Sequence, residues 1–223
     1  MREHHIPVAR TARYVTLGDP VGAPREVWFV CHGYGQLAER FLRHFTPLDD
    51  GHRLIVAPEA LSRFYVDVPA QSSHVHAPVG ASWMTREDRL SEIDDYIRYL
   101  DALHAHVMRG LHGVSPLVVA LGFSQGAATV CRWLARGRSR ADRLVLWGGL
   151  VPHDIDLDGD GAALRRVELV LVNGRDDAFV DAAALSAQAE RLARHALSFR
   201  EIRYDGGHRI DAAALARAAG TDA

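Results

Sequence analysis

Lysine is absent from this 223-residue chain, and all 26 basic side chains are arginine. Alanine is abundant as well, so the arginine bias reads as codon composition and not as a recognition surface. The basic residues are offset by 28 acidic ones, leaving a formal net charge of −2. That near-balance gives no electrostatic case for a nucleic-acid partner or for an anionic membrane surface. Cysteine is scarce too. Cys31 and Cys131 lie in apolar runs, where free buried thiols are expected, and two such positions do not make a disulfide framework. Long hydrophobic stretches are also missing. The opening residues carry Arg2, His4, His5 and Pro7, which suit neither a signal peptide nor a span, so a cytosolic protein without stable membrane association is expected. No repeat, linker or low-complexity tract interrupts the chain, and its length suits a single α/β domain over residues 1–223.

What is present alternates between two periodicities. Arg13–Leu17 reads as a strand ended by Gly18-Asp19-Pro20, and Val27–Cys31 as a strand covered on both faces. Leu37, Phe41, Phe45 and Leu48 recur at helical spacing before the short strand Leu54–Ala57. Thr85 with Asp88 suggests a capped helix start, followed by an apolar face of Leu90, Ile93, Ile97, Leu100, Leu103 and Val107. Strands follow at Leu117–Leu121, Leu144–Trp147, Val167–Val172 and Phe199–Tyr204. Helices are expected from Gln125 to Arg136, along Leu185, Ala189, Leu192 and Ala196, and from Ala212 to Ala219. Strands alternating with helices require crossovers. The pattern therefore predicts an α/β fold, with a mainly parallel twisted sheet and helices on both faces.

One segment carries chemistry. Gly122-Phe123-Ser124-Gln125-Gly126 joins the Leu117–Leu121 strand to the following small-residue helix, so a G-x-S-x-G pentapeptide occupies a strand–turn–helix context. The glycines allow a turn tight enough to leave the Ser124 hydroxyl exposed, with the helix N–H groups near what it attacks. A hydroxyl needs a base, normally a histidine oriented by a carboxylate. Of the 13 histidines, His208 follows Tyr204-Asp205-Gly206-Gly207 just past the last strand. Asp176 and Asp177 stand together beyond the Val167–Val172 strand, and spacing alone does not choose between them. The Gln125 N–H can serve a developing oxyanion, and a second donor is expected from the loop His32-Gly33-Tyr34-Gly35-Gln36.

With these segments in place, the sequence resembles the acyl-protein thioesterase, phospholipase and carboxylesterase family of the α/β-hydrolase fold over residues 25–210. The resemblance rests on His32-Gly33-Tyr34-Gly35, Gly122-Phe123-Ser124-Gln125-Gly126-Ala127, the Asp177 loop and Gly207-His208. It implies Ser124 as nucleophile, His208 as base, Asp177 as its orienting carboxylate, and the Tyr34 and Gln125 N–H groups as oxyanion hole. It also implies an ester or thioester substrate, no cofactor and no metal. Two positions depart from the family pattern: Asn173 stands where a histidine is usual, and Ala178 where a proline is usual. The segment Ala57–Tyr65 looks more like a bacterial esterase subgroup.

Substrate choice is sought in the loop Glu59–Thr85, where Phe64, Tyr65, Trp83 and Met84 either wall an acyl pocket or pin the loop to the sheet. Without a large inserted cap the site is predicted to be open and shallow, favouring short acyl chains. Lysophospholipase or protein-deacylase activity is the alternative within enzymes, and a catalytically silent ligand-binding protein the alternative outside them. His74-Val75-His76 lacks a nearby third ligand for a metal. Asp154, Asp156, Asp158 and Gly159 imitate half a calcium loop, but Arg165 stands where the glutamate belongs, so a solvated acidic turn is expected.

Overall fold

The computed structural model describes residues 1–18, 23–66, 75, 77–111, 113 and 115–221. Seven strands form one sheet: β1 (Tyr14–Leu17), β2 (Glu26–Cys31), β3 (Arg53–Pro58), β6 (Leu117–Phe123), β7 (Arg143–Trp147), β8 (Glu168–Gly174) and β9 (Arg200–Tyr204). Their spatial order is β1-β3-β2-β6-β7-β8-β9. Neighbours are parallel throughout, except that β1 runs antiparallel to β3. The order reverses between β2 and β6: from β2 the chain first winds outward to β3, and from β6 it winds the other way. Such a switch point opens a crevice at the carboxyl ends of the two strands, because their following loops diverge. The His32–Gln36 loop leaves β2 there, and Ser124 leaves β6.

Strands covered on both faces need near-continuous apolar sequence, and β2 supplies it. Val27, Phe29 and Cys31 point to one side, against a core that includes Trp133, Tyr96 and Leu100. Trp28 and Val30 point to the other, with Phe41, Phe45, Trp147 and Leu215. The first side is covered by α2 (Arg89–Gly110), α3 (Gln125–Arg136) and α5 (Ala182–Arg194); the second by α1 (Ala38–Leu42) and α6 (Ala212–Ala219). A short α4 (Gly161–Leu164) follows the acidic turn. Asp101 on α2 is buried and accepts from the Trp133 indole at 3.0 Å, the Ser139 hydroxyl at 2.7 Å and the Arg138 and Ser139 N–H groups. It thereby ties α2 to the end of α3.

Several local expectations are corrected. The helical run after Leu37 is α-helical only to Leu42 and continues as a 3-10 turn over Arg43–Leu48. Pro47 has no N–H to give the Arg43 carbonyl, which instead accepts from the Thr46 hydroxyl at 2.9 Å. The long loop Glu59–Thr85 is not simply irregular, for β4 (Ser62–Tyr65) and β5 (Val79–Ser82) pair antiparallel within it. Asp88 does precede α2, but with φ of 44° and no side-chain cap; Thr85 donates its N–H forward to Glu92 at 2.6 Å. Leu90 lies at the margin of the apolar face and stays exposed in the first turn. The expected Asp19-Pro20 turn falls outside the described residues.

Candidate active site

Ser124 occupies the turn between β6 and α3 with φ of 55° and ψ of −117°, a backbone conformation that side-chain-bearing residues rarely hold. Three glycine contacts enforce it. A methyl group on Gly122 would collide with the Gly126 carbonyl, one on Gly126 with the Cys31 carbonyl, and one on Gly33 would come within 3.3 Å of Ser124 Cβ. The end of β2, the turn and the helix start are thus in backbone contact, which only glycine permits. The Ser124 N–H also donates to Trp147 O at 2.8 Å, securing the turn to β7.

His208 and Asp177 lie together after β9 and β8. His208 Nδ1 is 2.8 Å from Asp177 Oδ2, and both side chains are largely shielded from solvent. The other carboxylate oxygen of Asp177 accepts from the Phe179 N–H at 2.8 Å and the Val180 N–H at 3.2 Å. Asp176 is exposed and meets the histidine loop only through its backbone, donating its N–H to Gly206 O at 3.0 Å. Tyr204 braces the loop by donating to Gly207 O at 2.9 Å and Arg209 O at 2.6 Å, and the Trp147 indole also donates to Arg209 O, at 2.9 Å. Phe123 and Phe179 rings each stand 4.7 Å from the His208 ring.

Gly148 and Gly149, following β7, fill the space between the two halves. A Cβ on Gly148 would lie 2.9 Å from His208 Cε1, and one on Gly149 would lie 3.1 Å from Ser124 O. Gly148 thus borders the histidine ring and Gly149 the serine backbone.

Gln125 opens α3, so its N–H has no intrahelical carbonyl to meet. Among the described residues, the Tyr34 N–H makes no backbone hydrogen bond. The Gln125 side chain has a separate job that its position in the motif did not announce. Its Oε1 accepts from Trp83 N–H at 3.0 Å, and its Nε2 donates to Met84 O at 2.7 Å and Ser82 Oγ at 3.2 Å. Gly35 and Ala81 add two backbone bonds, Gly35 N–H to Ala81 O at 2.9 Å and Ala81 N–H to Gln36 O at 3.1 Å.

The four side chains considered for the pocket divide. Trp83 is buried, tilted against the His32 ring, with its indole N–H donated to His32 O at 2.9 Å, so it ties the hairpin to the His32 loop. Met84 is partly buried against the core. Phe64 lies tilted against Tyr34 at 5.2 Å between ring centroids, and Tyr65 is exposed. His32, within the glycine-rich loop after β2, fixes that loop to the segment after β3. Its Nε2 accepts from Ala60 N–H at 3.1 Å, which leaves Nδ1 protonated to donate to Gly33 O at 2.8 Å. Burial pushes its pKa below the usual histidine range, so the ring stays neutral.

The acidic turn is committed to protein partners. Asp154 pairs with Arg132 at 2.8 Å and Arg136 at 3.3 Å, Asp160 with Arg136 at 3.0 Å, and Asp158 with His195 at 2.8 Å. Burial alone would raise the Asp154 pKa, but the Arg132 hydrogen bonds and charge outweigh it and hold the group down to about 2. His74 and His76 lie outside the described residues. Among the described residues, the ligand atoms of Glu3, His5 and Asp88 gather on the surface, and the acidic turn presents no such group. No helix among them is long and apolar enough to cross a membrane.

No family model and no curated protein matches the chain. Solved structures do. Esterase PE8 aligns with a TM-score of 0.71 at 21% identity, covering 95% of this chain and 98% of that one. Acyl-protein thioesterase 2 from Zea mays aligns at 0.67 and 18%, covering 95% and 97%. A phospholipase/carboxylesterase from Dyadobacter fermentans aligns at 0.63 and 18%, covering 96% and 98%. At these identities the likeness establishes the fold: this chain has the α/β-hydrolase fold, without a large cap over the sheet among the described residues.

Proposed function

We propose that this protein is a serine hydrolase that cleaves carboxylic esters or thioesters through an acyl-enzyme on Ser124. The observation that carries this reading is the strained Ser124 held against Gly149 while the Asp177-paired His208 packs on Gly148. Asp177 accepts from Nδ1–H of His208, which leaves Nε2 as the base that takes the Ser124 proton. The freed oxygen attacks the acyl carbon, and the carbonyl oxygen becomes negative facing the Tyr34 and Gln125 N–H groups. Losing one donor of this kind costs roughly 3 kcal/mol of transition-state stabilisation. The tetrahedral species collapses as the bond to the leaving oxygen or sulfur breaks and Nε2 returns the proton to it. Water then repeats the sequence on the acyl-enzyme and releases the acid and free Ser124.

The esterases and thioesterases named among the structural neighbours support the reaction class. Exposure of Tyr34 at 60% supports an open site, hence short acyl groups. The test is hydrolysis of p-nitrophenyl butyrate by the wild type and by Ser124→Ala, with fluorophosphonate labelling of both. Hydrolysis and labelling by the wild type alone are expected. Full activity in Ser124→Ala overturns the nucleophile, and a rate that climbs steeply beyond octanoyl esters overturns the short-acyl preference.

A further inference from the structure

Phe179 is the most exposed phenylalanine-sized side chain near this site, and it touches the base itself. Its ring centroid lies 4.7 Å from that of His208 at an interplanar angle of 54°, while 79% of the residue remains open to solvent. Its backbone is fixed by the same carboxylate that orients the histidine, through the 2.8 Å bond from Phe179 N–H to Asp177 Oδ1. The ring is therefore registered to the imidazole and does not belong to a loose tip. Phe123 touches the imidazole at the same 4.7 Å spacing, but it is buried. His208 thus stands between one ring that completes the core and one that completes nothing in the protein.

Single exposed apolar residues are ordinary, so exposure alone carries no argument. Position does. During acylation the proton on His208 Nε2 passes to the departing oxygen or sulfur, so that atom must come within about 3 Å of the imidazole. The acyl carbonyl oxygen is directed elsewhere, to the N–H groups of Tyr34 and Gln125. A ring packed on the imidazole is consequently next to the leaving group and not next to the acyl chain. Tyr34, another exposed ring nearby, belongs to the oxyanion side and is already packed against Phe64.

We propose that Phe179 is a specificity-determining residue that contacts the alcohol or thiol part of the substrate and favours flat, apolar leaving groups. This rests on the serine-hydrolase reading and adds the class of substrate: an ester or thioester whose leaving group carries an aromatic or similarly broad apolar surface. The reaction is otherwise as written above. The carbon–oxygen or carbon–sulfur bond breaks, Nε2 supplies the proton, and the acyl group stays on Ser124.

The experiment compares methyl, phenyl and 2-naphthyl acetate with the wild type, Phe179→Ala, Phe179→Leu and Phe179→Tyr. All three esters give the same acetyl-enzyme, so deacylation measured by rapid mixing reports the machinery after the leaving group has gone. The expected result is a loss in kcat/KM for Phe179→Ala that grows with the leaving group, reaching about 10-fold for 2-naphthyl acetate. That loss falls mainly on acylation; Phe179→Tyr restores most of it and Phe179→Leu a part. Equal losses for all three esters, with deacylation slowed to match, would show that Phe179 merely steadies His208 and would overturn the proposal. Equal rates in all variants would overturn it as well. A wild type that hydrolyses none of the esters and takes no fluorophosphonate would instead sink the serine-hydrolase reading beneath it.

Discussion

Replacing Gly148 by alanine tests whether the packing between the two halves of the site sets the catalytic geometry. The new Cβ would lie 2.9 Å from His208 Cε1 and 3.0 Å from Nδ1, with Asp177 Oδ2 at 3.4 Å. Carbon atoms rest about 3.5–4.0 Å apart, so the imidazole must retreat by roughly 0.6–1 Å. A misplacement of that size in a reacting group costs up to about 100-fold in rate. The backbone adds its own penalty, since Gly148 has φ of 56°. An alanine in that region is strained by about 1–2 kcal/mol, lowering Tm by roughly 2–8 °C in a chain of this size. Gly51 separates the two effects, because it has φ of 78° and nothing within 4 Å of its would-be Cβ. Gly51→Ala should lower Tm comparably and hydrolyse p-nitrophenyl butyrate at the wild-type rate. Gly148→Ala should lose about 10- to 100-fold in kcat/KM. Full activity together with the Tm shift in Gly148→Ala would show that His208 is not confined by this contact.

Further outcomes follow from strain, burial and charge. Ser124→Gly should abolish hydrolysis yet raise stability by about 1 kcal/mol, because glycine tolerates the φ of 55° that serine resists; urea denaturation reads it. Asp101→Ala should cost about 2–4 kcal/mol by leaving the Trp133 indole and the Ser139 donors without an acceptor, and differential scanning calorimetry measures it. His32 and His104 are both held below the usual histidine pKa of 6.5, chiefly by burial. The unfolded chain therefore binds more protons than the folded one below about pH 6.5, so stability falls as pH drops through that value until the folded groups titrate. Urea midpoints between pH 7.5 and 5 should decline accordingly, and His104→Phe, whose ring suits the space between Phe29 and Trp133, should flatten the slope; an unaltered slope speaks against the burial argument.

The sheet was legible because burial on both faces demands unbroken apolar runs, and β2, β6, β7 and β8 have them. Ser124 was legible because its pentapeptide stands between such a run and a small-residue helix. Spacing did not separate Asp176 from Asp177. The difference lies in which carboxylate meets His208 and two backbone N–H groups of its own loop, an arrangement in space that two adjacent positions in the chain do not reveal. The β4–β5 hairpin escaped notice for a different reason. Gly80 and Ala81 look like loop residues, and they become a strand because Gly35 and Gln36 supply distant hydrogen-bonding partners; a methyl on Gly80 would strike the Gly35 carbonyl. For Trp83 the sequence leaves pocket wall and loop pin equally open, and the indole N–H donated to the His32 carbonyl chooses the pin. Phe179 carries no periodic or motif signal, since its contact with His208 arises only when that residue arrives beside it from a distant part of the chain.

The Gln125 side chain, the Trp83 indole and the Gly35–Ala81 bonds join the hairpin, the His32 loop and the start of α3. A two-stranded hairpin has little stability of its own and persists through what it is fastened to. Opening it would release the loop that presents the Tyr34 N–H while leaving the seven-stranded sheet intact. Hydrogen exchange should therefore find the amides of Gly35, Ala81 and Trp83 opening together, at a free energy below that of the β6 amides. On the proposed mechanism, activity should then fade on warming in a local melting step ahead of the global transition, with the His32–Gln36 loop as its weakest seam.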